Sequence, residues 1–147
     1  MSQTTMNKHT AIRALAGFMG VYHLLMGLMG IWSGDTAARA AQILWQAHVT
    51  VDPQFSYLAK FLGAYVIAFG VMLLAIAKDP VRYGPLVYVA ALLGAIRIAE
   101  RLIFAAELKQ AFGIGFDRTI VTAIIVLALN GGLILLKPRE RHPVASA

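Results

Sequence analysis

The chain contains no cysteine and little charge: 14% of its residues are Asp, Glu, Lys or Arg. Without cysteine there is no disulfide scaffold, no thiolate metal site and no thiol catalysis. No HExxH, paired-carboxylate, Ser/His/Asp or phosphate-loop pattern occurs. The one GxG, Gly113-Ile114-Gly115, follows no strand pattern and is not a dinucleotide signal. The sequence thus assigns no catalytic residue, no metal ligand set and no cofactor, and it favours a non-enzymatic role. What it has in abundance is apolar side chain. The hydrophobic fraction is 59% and the mean hydropathy +0.71. Counting glycine and omitting tyrosine, the chain is about 65% apolar, against roughly 45–50% in soluble domains. A 147-residue chain has too little interior to hide so much apolar surface from water. Lipid must be the solvent for much of it.

Uncharged runs cover residues 14–34, 61–77 and 119–136, and a fourth apolar segment runs from 83 to 106 with Arg97, Glu100 and Arg101 near its end. About 20 helical residues cross a hydrocarbon core, and backbone polar groups in lipid must be satisfied within the segment. The expected fold is therefore all-α, a single-domain four-helix transmembrane bundle with spans at approximately 12–33, 57–77, 84–106 and 118–136. The turn Lys78-Asp79-Pro80-Val81-Arg82-Tyr83-Gly84-Pro85 stops one helix and starts the next. Residues 33–56 place Ala37, Ala41, Leu44, Trp45 and His48 at helical spacing. They read either as a short interfacial helix with Trp45 at headgroup level or as a loop with one helical turn. The segment 107–117, with Gly113 and Gly115, reads as a flexible turn.

Lys8, Arg13, Lys78, Arg82, Lys137, Arg139 and Arg141 fall on one side of such a bundle. Arg39, Lys60, Lys109 and Arg118, with Arg101 arguable, fall on the other. The positive-inside rule then puts both termini in the cytoplasm. The net charge of +6 is read as a topology signal, and nucleic acid is not an expected partner, because no basic, aromatic-interleaved patch lies outside the spans. Lys8, Arg13 and Ala38-Arg39-Ala40 outline a cleavable signal peptide, but the 21-residue apolar run exceeds the usual 7–15, so the first span is expected to remain.

The first two spans resemble each other. Leu15, Ala16, Phe18, Gly20, Tyr22, Gly27 and Met29 recur 43 residues later as Leu58, Ala59, Phe61, Gly63, Tyr65, Gly70 and Met72. Ala16, Gly20, Gly27, Gly30 and Gly34 form one stripe, and Ala59, Gly63, Gly70 and Ala77 another. In lipid, small residues let helix backbones approach closely. An antiparallel pair is expected.

Polar residues within the apolar runs are the candidate functional groups. His23 fills the stripe between Gly20 and Gly27. It suits a haem or metal ligand, a proton relay or a hydrogen bond to a quinone-like ring. The simpler reading is structural, a donor to a neighbouring carbonyl or tyrosine. His9, His48 and His142 lie outside the spans, so one chain offers no second haem ligand. Arg97, Glu100 and Arg101 are spaced i, i+3 and i+4 and share a helix face. An unpaired charge at that depth costs at least roughly 2.5–3.5 kcal/mol. Glu100 is expected to pair with Arg97, leaving one arginine for a carboxylate, a phosphate or the acid of a partner helix. Lys60, Asp117 and Arg118 lie at similar or shallower depth. Arg97, Glu100, Arg101, Lys60 and His23 therefore form the candidate ligand or partner site, with an internal structural network as the alternative. Asn130, beside Gly131-Gly132, is expected to hydrogen-bond between helices.

In its size, four-span plan, Gly- and Tyr-bearing first helix and the turn from Asp79-Pro80-Val81-Arg82 through Tyr83-Gly84-Pro85-Leu86-Val87, the chain resembles the small DoxX-like and BphX-like inner-membrane proteins of bacteria. The resemblance implies a multi-pass bacterial inner-membrane protein, and it carries no active-site residue over. Three function classes follow: an accessory subunit of a membrane complex or a small homo-oligomer, with lipid and other membrane chains or itself as partners; an integral membrane enzyme or small-molecule-binding protein using Arg97, Glu100, Arg101 and His23; and a small dimeric transporter. The glutathione-using eicosanoid family has a similar plan, but its Arg-x-x-x-Asn-x-x-Glu pattern is missing: four residues after Arg97 stands Arg101, and four after Arg101 stands Ala105.

Overall fold

The computed structural model describes residues 3–138. Among them are six helices and no strand: α1 (Gln3–Trp32), α2 (Gly34–Trp45), α3 (Pro53–Lys78), α4 (Leu86–Ile103), α5 (Ala105–Phe112) and α6 (Phe116–Leu136). Arg139, Arg141 and His142, used in the sequence reading, lie outside the described residues.

Local chemistry sets the boundaries. Ser33 caps α2 by accepting from the Thr36 N–H at 3.1 Å, and the Thr36 hydroxyl donates to the Met29 carbonyl at 2.6 Å, tying α2 to the end of α1. Asp52 caps α3 by accepting from the Phe55 N–H at 2.7 Å, with Pro53 in the first turn, where its missing N–H costs nothing. Asp79 folds the turn between α3 and α4 by accepting from the Arg82 and Val81 N–H groups at 3.0 and 3.2 Å. These bonds, that of Arg82 foremost, hold its carboxyl below its ordinary value. Gly113, at φ 70°, ends α5.

Lys8–Trp32, Pro53–Lys78 and Phe116–Leu136 are long and apolar enough to cross a membrane, which points to membrane association. The expected third span differs. Residues 84–106 are helical over Leu86–Ile103, but Arg97, Glu100 and Arg101 fall within those 18 residues. Three helices, not four, thus meet the requirement of length and apolarity. Of the two readings of 33–56, the helix is the one observed, over Gly34–Trp45. The other departures are local: the expected turn at 107–117 is helical to Phe112. The first helix begins well before residue 12, and the second begins at Pro53 rather than 57.

Helices α1 and α3 pack antiparallel along most of their length. A Cβ on Gly27 would stand 2.7 Å from the Gly63 carbonyl oxygen, and one on Gly63 would stand 2.7 Å from that of Gly27. Gly20 and Gly70 face each other in the same reciprocal way, and a Cβ on Gly30 would meet the Ala59 carbonyl oxygen at 2.9 Å. Only glycine permits this backbone approach. Helix α4 packs on α6, α6 returns to α1, and α3 touches α4. The buried core (Ile12, Ala16, Met19, Leu73, Ile76, Val87, Ala90 and Leu133) gathers toward the 79–85 turn. The outward faces carry large exposed apolar side chains, among them Leu58, Leu62, Leu127 and Leu135, which suit contact with lipid.

Candidate functional site

Away from the packed core, toward α2, the helices part around a cavity of about 330 Å³. Its walls come from α1, α4 and α6, with Phe69 of α3 on one side and Leu44 and Trp45 of α2 at the end. Most of the lining is apolar: Phe18, Met19, Leu93, Ile98, Val121, Ile125, Val126 and Leu129 are examples. Three arginines interrupt it. Arg97 and Arg101 stand one turn apart on α4, and Arg118 enters from the first turn of α6. No Asp or Glu lines the cavity.

Arg97 is exposed, Arg118 is half-buried, and so is Arg101. Its guanidinium carbon lies 5.7 Å from the centre of the Trp45 ring, a cation–π contact that spans from α4 to α2. Its Nη1 is buried and has no hydrogen-bond partner. Such a group is uncommon in a folded protein, and it costs most when charged.

His23 sits midway along the cavity. Its Nδ1 donates to the Met19 carbonyl at 2.6 Å, one turn back on the same helix. The ring stands edge-on to Phe69, with centroids 4.8 Å apart, and to Tyr22, at 5.2 Å. In the neutral imidazole this leaves Nε2 as a free acceptor. Deeper still, Asn130 Nδ2 donates to the Val126 carbonyl at 2.8 Å, while Oδ1 is buried with no partner. The amide lies against Gly94: a Cβ there would be 2.5 Å from Nδ2. The bond expected to run between helices stays within α6, and what Asn130 gives the α4–α6 contact is shape.

The structure brings Arg97, Arg101 and His23 to one cavity and leaves Glu100 and Lys60 out of its lining. Arg97 and Glu100 form no ion pair; both side chains are exposed. Glu100 points instead into a groove of about 420 Å³ between α4 and α5, shared with Arg97, Arg101 and Glu107. Lys60 is exposed on α3. Trp45, Arg118 and Tyr22 join the site without having been singled out for it. Trp45 was visible as the aromatic in the helical spacing of Ala37, Ala41, Leu44, Trp45 and His48, but nothing local marked its arginine partner. Among the described residues no group of three or more His, Asp or Glu is placed to hold a metal ion.

The cavity is an apolar chamber with three arginines toward α2 and His23 and Asn130 further in. Comparison of the chain with family models, with curated proteins and with solved structures finds no match.

Proposed function

We propose that this is a membrane protein that binds an anionic amphiphile, its acid group among Arg97, Arg101 and Arg118 and its apolar body in the chamber below. The observation that carries the reading is the charge of the lining: three arginines and no carboxylate. Water compensates such charge on a soluble protein. In lipid a charge without a counter-ion costs several kcal/mol (about 2.5–3.5 at the least), and an anion in the cavity would add to what Glu100 and Glu107 supply from the adjoining groove. Guanidinium groups suit the planar, two-oxygen edge of a carboxylate or phosphate. A neutral quinone-like ring would leave the charge unmet.

In this reading α4 is the fourth span, its charged half turned toward the cavity and headgroups, and α1, α3, α4 and α6 form a four-helix transmembrane bundle. The Lys and Arg count sets both termini and the 79–85 turn in the cytoplasm, with α2 and α5 on the outer face. The resemblance to DoxX-like and BphX-like proteins supports a bacterial inner membrane. The glycines of α1 and α3 face each other within the chain. They therefore give no argument for a partner subunit, and the binding reading is preferred to the accessory one.

The test is extraction of the protein in mild detergent, followed by mass spectrometry of bound small molecules from wild type and Arg101→Gln. Enrichment of one carboxylate- or phosphate-bearing amphiphile, lost from the variant, is expected, and its mass distinguishes the two head groups. Recovery of bulk membrane lipid alone, equal in both proteins, would overturn the proposal.

A further inference from the structure

We infer that the cavity opens sideways into the bilayer between α1 and α6, and that its ligand is a long-chain acid that enters from the lipid and keeps the end of its tail there. This rests on the anionic-amphiphile reading and names the class of ligand. The two helices pack at the end nearer the 79–85 turn, where a Cβ on Gly132 would stand 3.0 Å from Leu15 Cδ2. Phe18 and Tyr22 continue the Leu15 face of α1, and Ile125 and Val121 continue the Gly132 face of α6. These four side chains do not bury one another. All line the cavity, yet all are exposed, Phe18 by 66% and Ile125 by 52%. A place in the lining does not by itself expose a side chain: Met19, next to Phe18 and further inside, is 4% exposed. The helices therefore part beyond Leu15, and the cavity has an open edge between them.

The depth of that edge decides what it faces. Phe18 and Tyr22 flank Gly20, the middle residue of the 25 in Lys8–Trp32, and Ile125 adjoins Val126, the middle of the 21 residues of α6. At the middle of a crossing helix the surroundings are hydrocarbon, not headgroup or water. The edge is apolar apart from the Tyr22 hydroxyl, which lies close enough to Arg97 and Arg101 to feel their charge. That hydroxyl belongs with the arginines at the acid's end, and the ring belongs with the opening. The edge toward α3 differs: Leu93 and Arg97 are exposed there on α4, and Arg97 also borders the α4–α5 groove. An acid can thus rest among the arginines while its chain leaves between α1 and α6. A volume of about 330 Å³ is at the small end of ligand sites, and a closed chamber of that size must reject a long chain. A tail that stays in hydrocarbon is transferred nowhere, so lengthening it changes affinity little.

Laurate and the longer arachidate are suitable probes, titrated against the full-length protein in phosphatidylcholine nanodiscs at equal mole fractions in the bilayer. Wild type is expected to bind the two within about threefold of each other. Ile125→Trp and Val121→Trp each narrow the opening, so that one serves if the other does not fold. Either should weaken arachidate about tenfold or more and leave laurate within about threefold of wild type. Leu127→Trp, on the outward face of the same helix, should change neither acid. Wild type binding arachidate about tenfold more weakly than laurate would overturn the open edge while leaving the anionic site standing. Arachidate affinity unchanged in both opening variants, or lost equally in Leu127→Trp, would do the same. Failure of wild type to bind either acid would overturn both.

Discussion

The guanidinium of Arg101 lies 5.7 Å from the centre of the Trp45 ring, so that the end of α2 rests on the charged wall of the cavity. An acid group that engages Arg101 changes the charge held beside the indole. The chain has two tryptophans, and Trp32→Phe leaves Trp45 as the single reporter. Titration of this variant with laurate is expected to change Trp45 emission saturably. The same titration of an Arg101→Gln version should leave the emission unchanged; an identical response in both would show that the probe reaches the indole without the arginine.

The α1–α3 contact makes a stability prediction with an internal control. A Cβ on Gly63 would press on the Gly27 carbonyl oxygen at 2.7 Å, with Ile31 also within 3.1 Å, whereas a Cβ on Gly131 would meet nothing within 4 Å. Gly63→Ala is expected to destabilise the detergent-solubilised protein by about 1–3 kcal/mol, the usual cost of overpacking. Gly131→Ala should be neutral or stabilising by up to about 1 kcal/mol, because alanine is the better helix former. Thermal unfolding of the two variants side by side checks the ordering.

Asp79 predicts an acid-side dependence. Its carboxyl is held below the ordinary value of 3.8 chiefly by the Arg82 N–H, with the Val81 N–H and the charges of Arg13 and Arg82 adding to the effect. A group whose acidity is strengthened on folding contributes stability that is fully present above its unfolded value. That stability is lost as the pH falls through the lower, folded one. The turn should hence be indifferent to pH from neutrality to about 5 and loosen below the ordinary carboxylate range. Hydrogen exchange at the Val81 and Arg82 amides should rise at that point beyond the intrinsic rate change. In Asp79→Asn the acid-dependent rise should be absent.

How much of this was legible in the sequence follows from which forces are local. The all-helical class and the three apolar helices are read from uninterrupted hydropathy, and the small-residue stripe is visible because Ala16, Gly20, Gly27 and Gly30 recur at helical spacing. The helix at Ala105–Phe112 was hidden by the glycines that follow it, although Ala, Glu, Leu, Lys and Gln fill it. The pairing of Arg97 with Glu100 follows the i, i+3 neighbour rule, which brings two side chains within reach but does not fix their rotamers. Both are exposed and line the α4–α5 groove without forming an ion pair. The cavity itself was out of reach. Trp45 and Arg118 come from segments far apart in the chain, and only the tertiary fold brings them to one chamber with His23 and Asn130.

The whole account depends on α4 crossing the membrane despite its three charges, and the cysteine-free chain allows a direct measurement of that crossing. Single cysteines at Arg82, in the turn before α4, and at Gln110, on α5 beyond it, can be labelled in intact cells with a membrane-impermeant thiol reagent, before and after permeabilisation. The account predicts labelling of the Gln110→Cys protein from outside, with the Arg82→Cys protein protected until the membrane is opened. Labelling of both from the same side would contradict it.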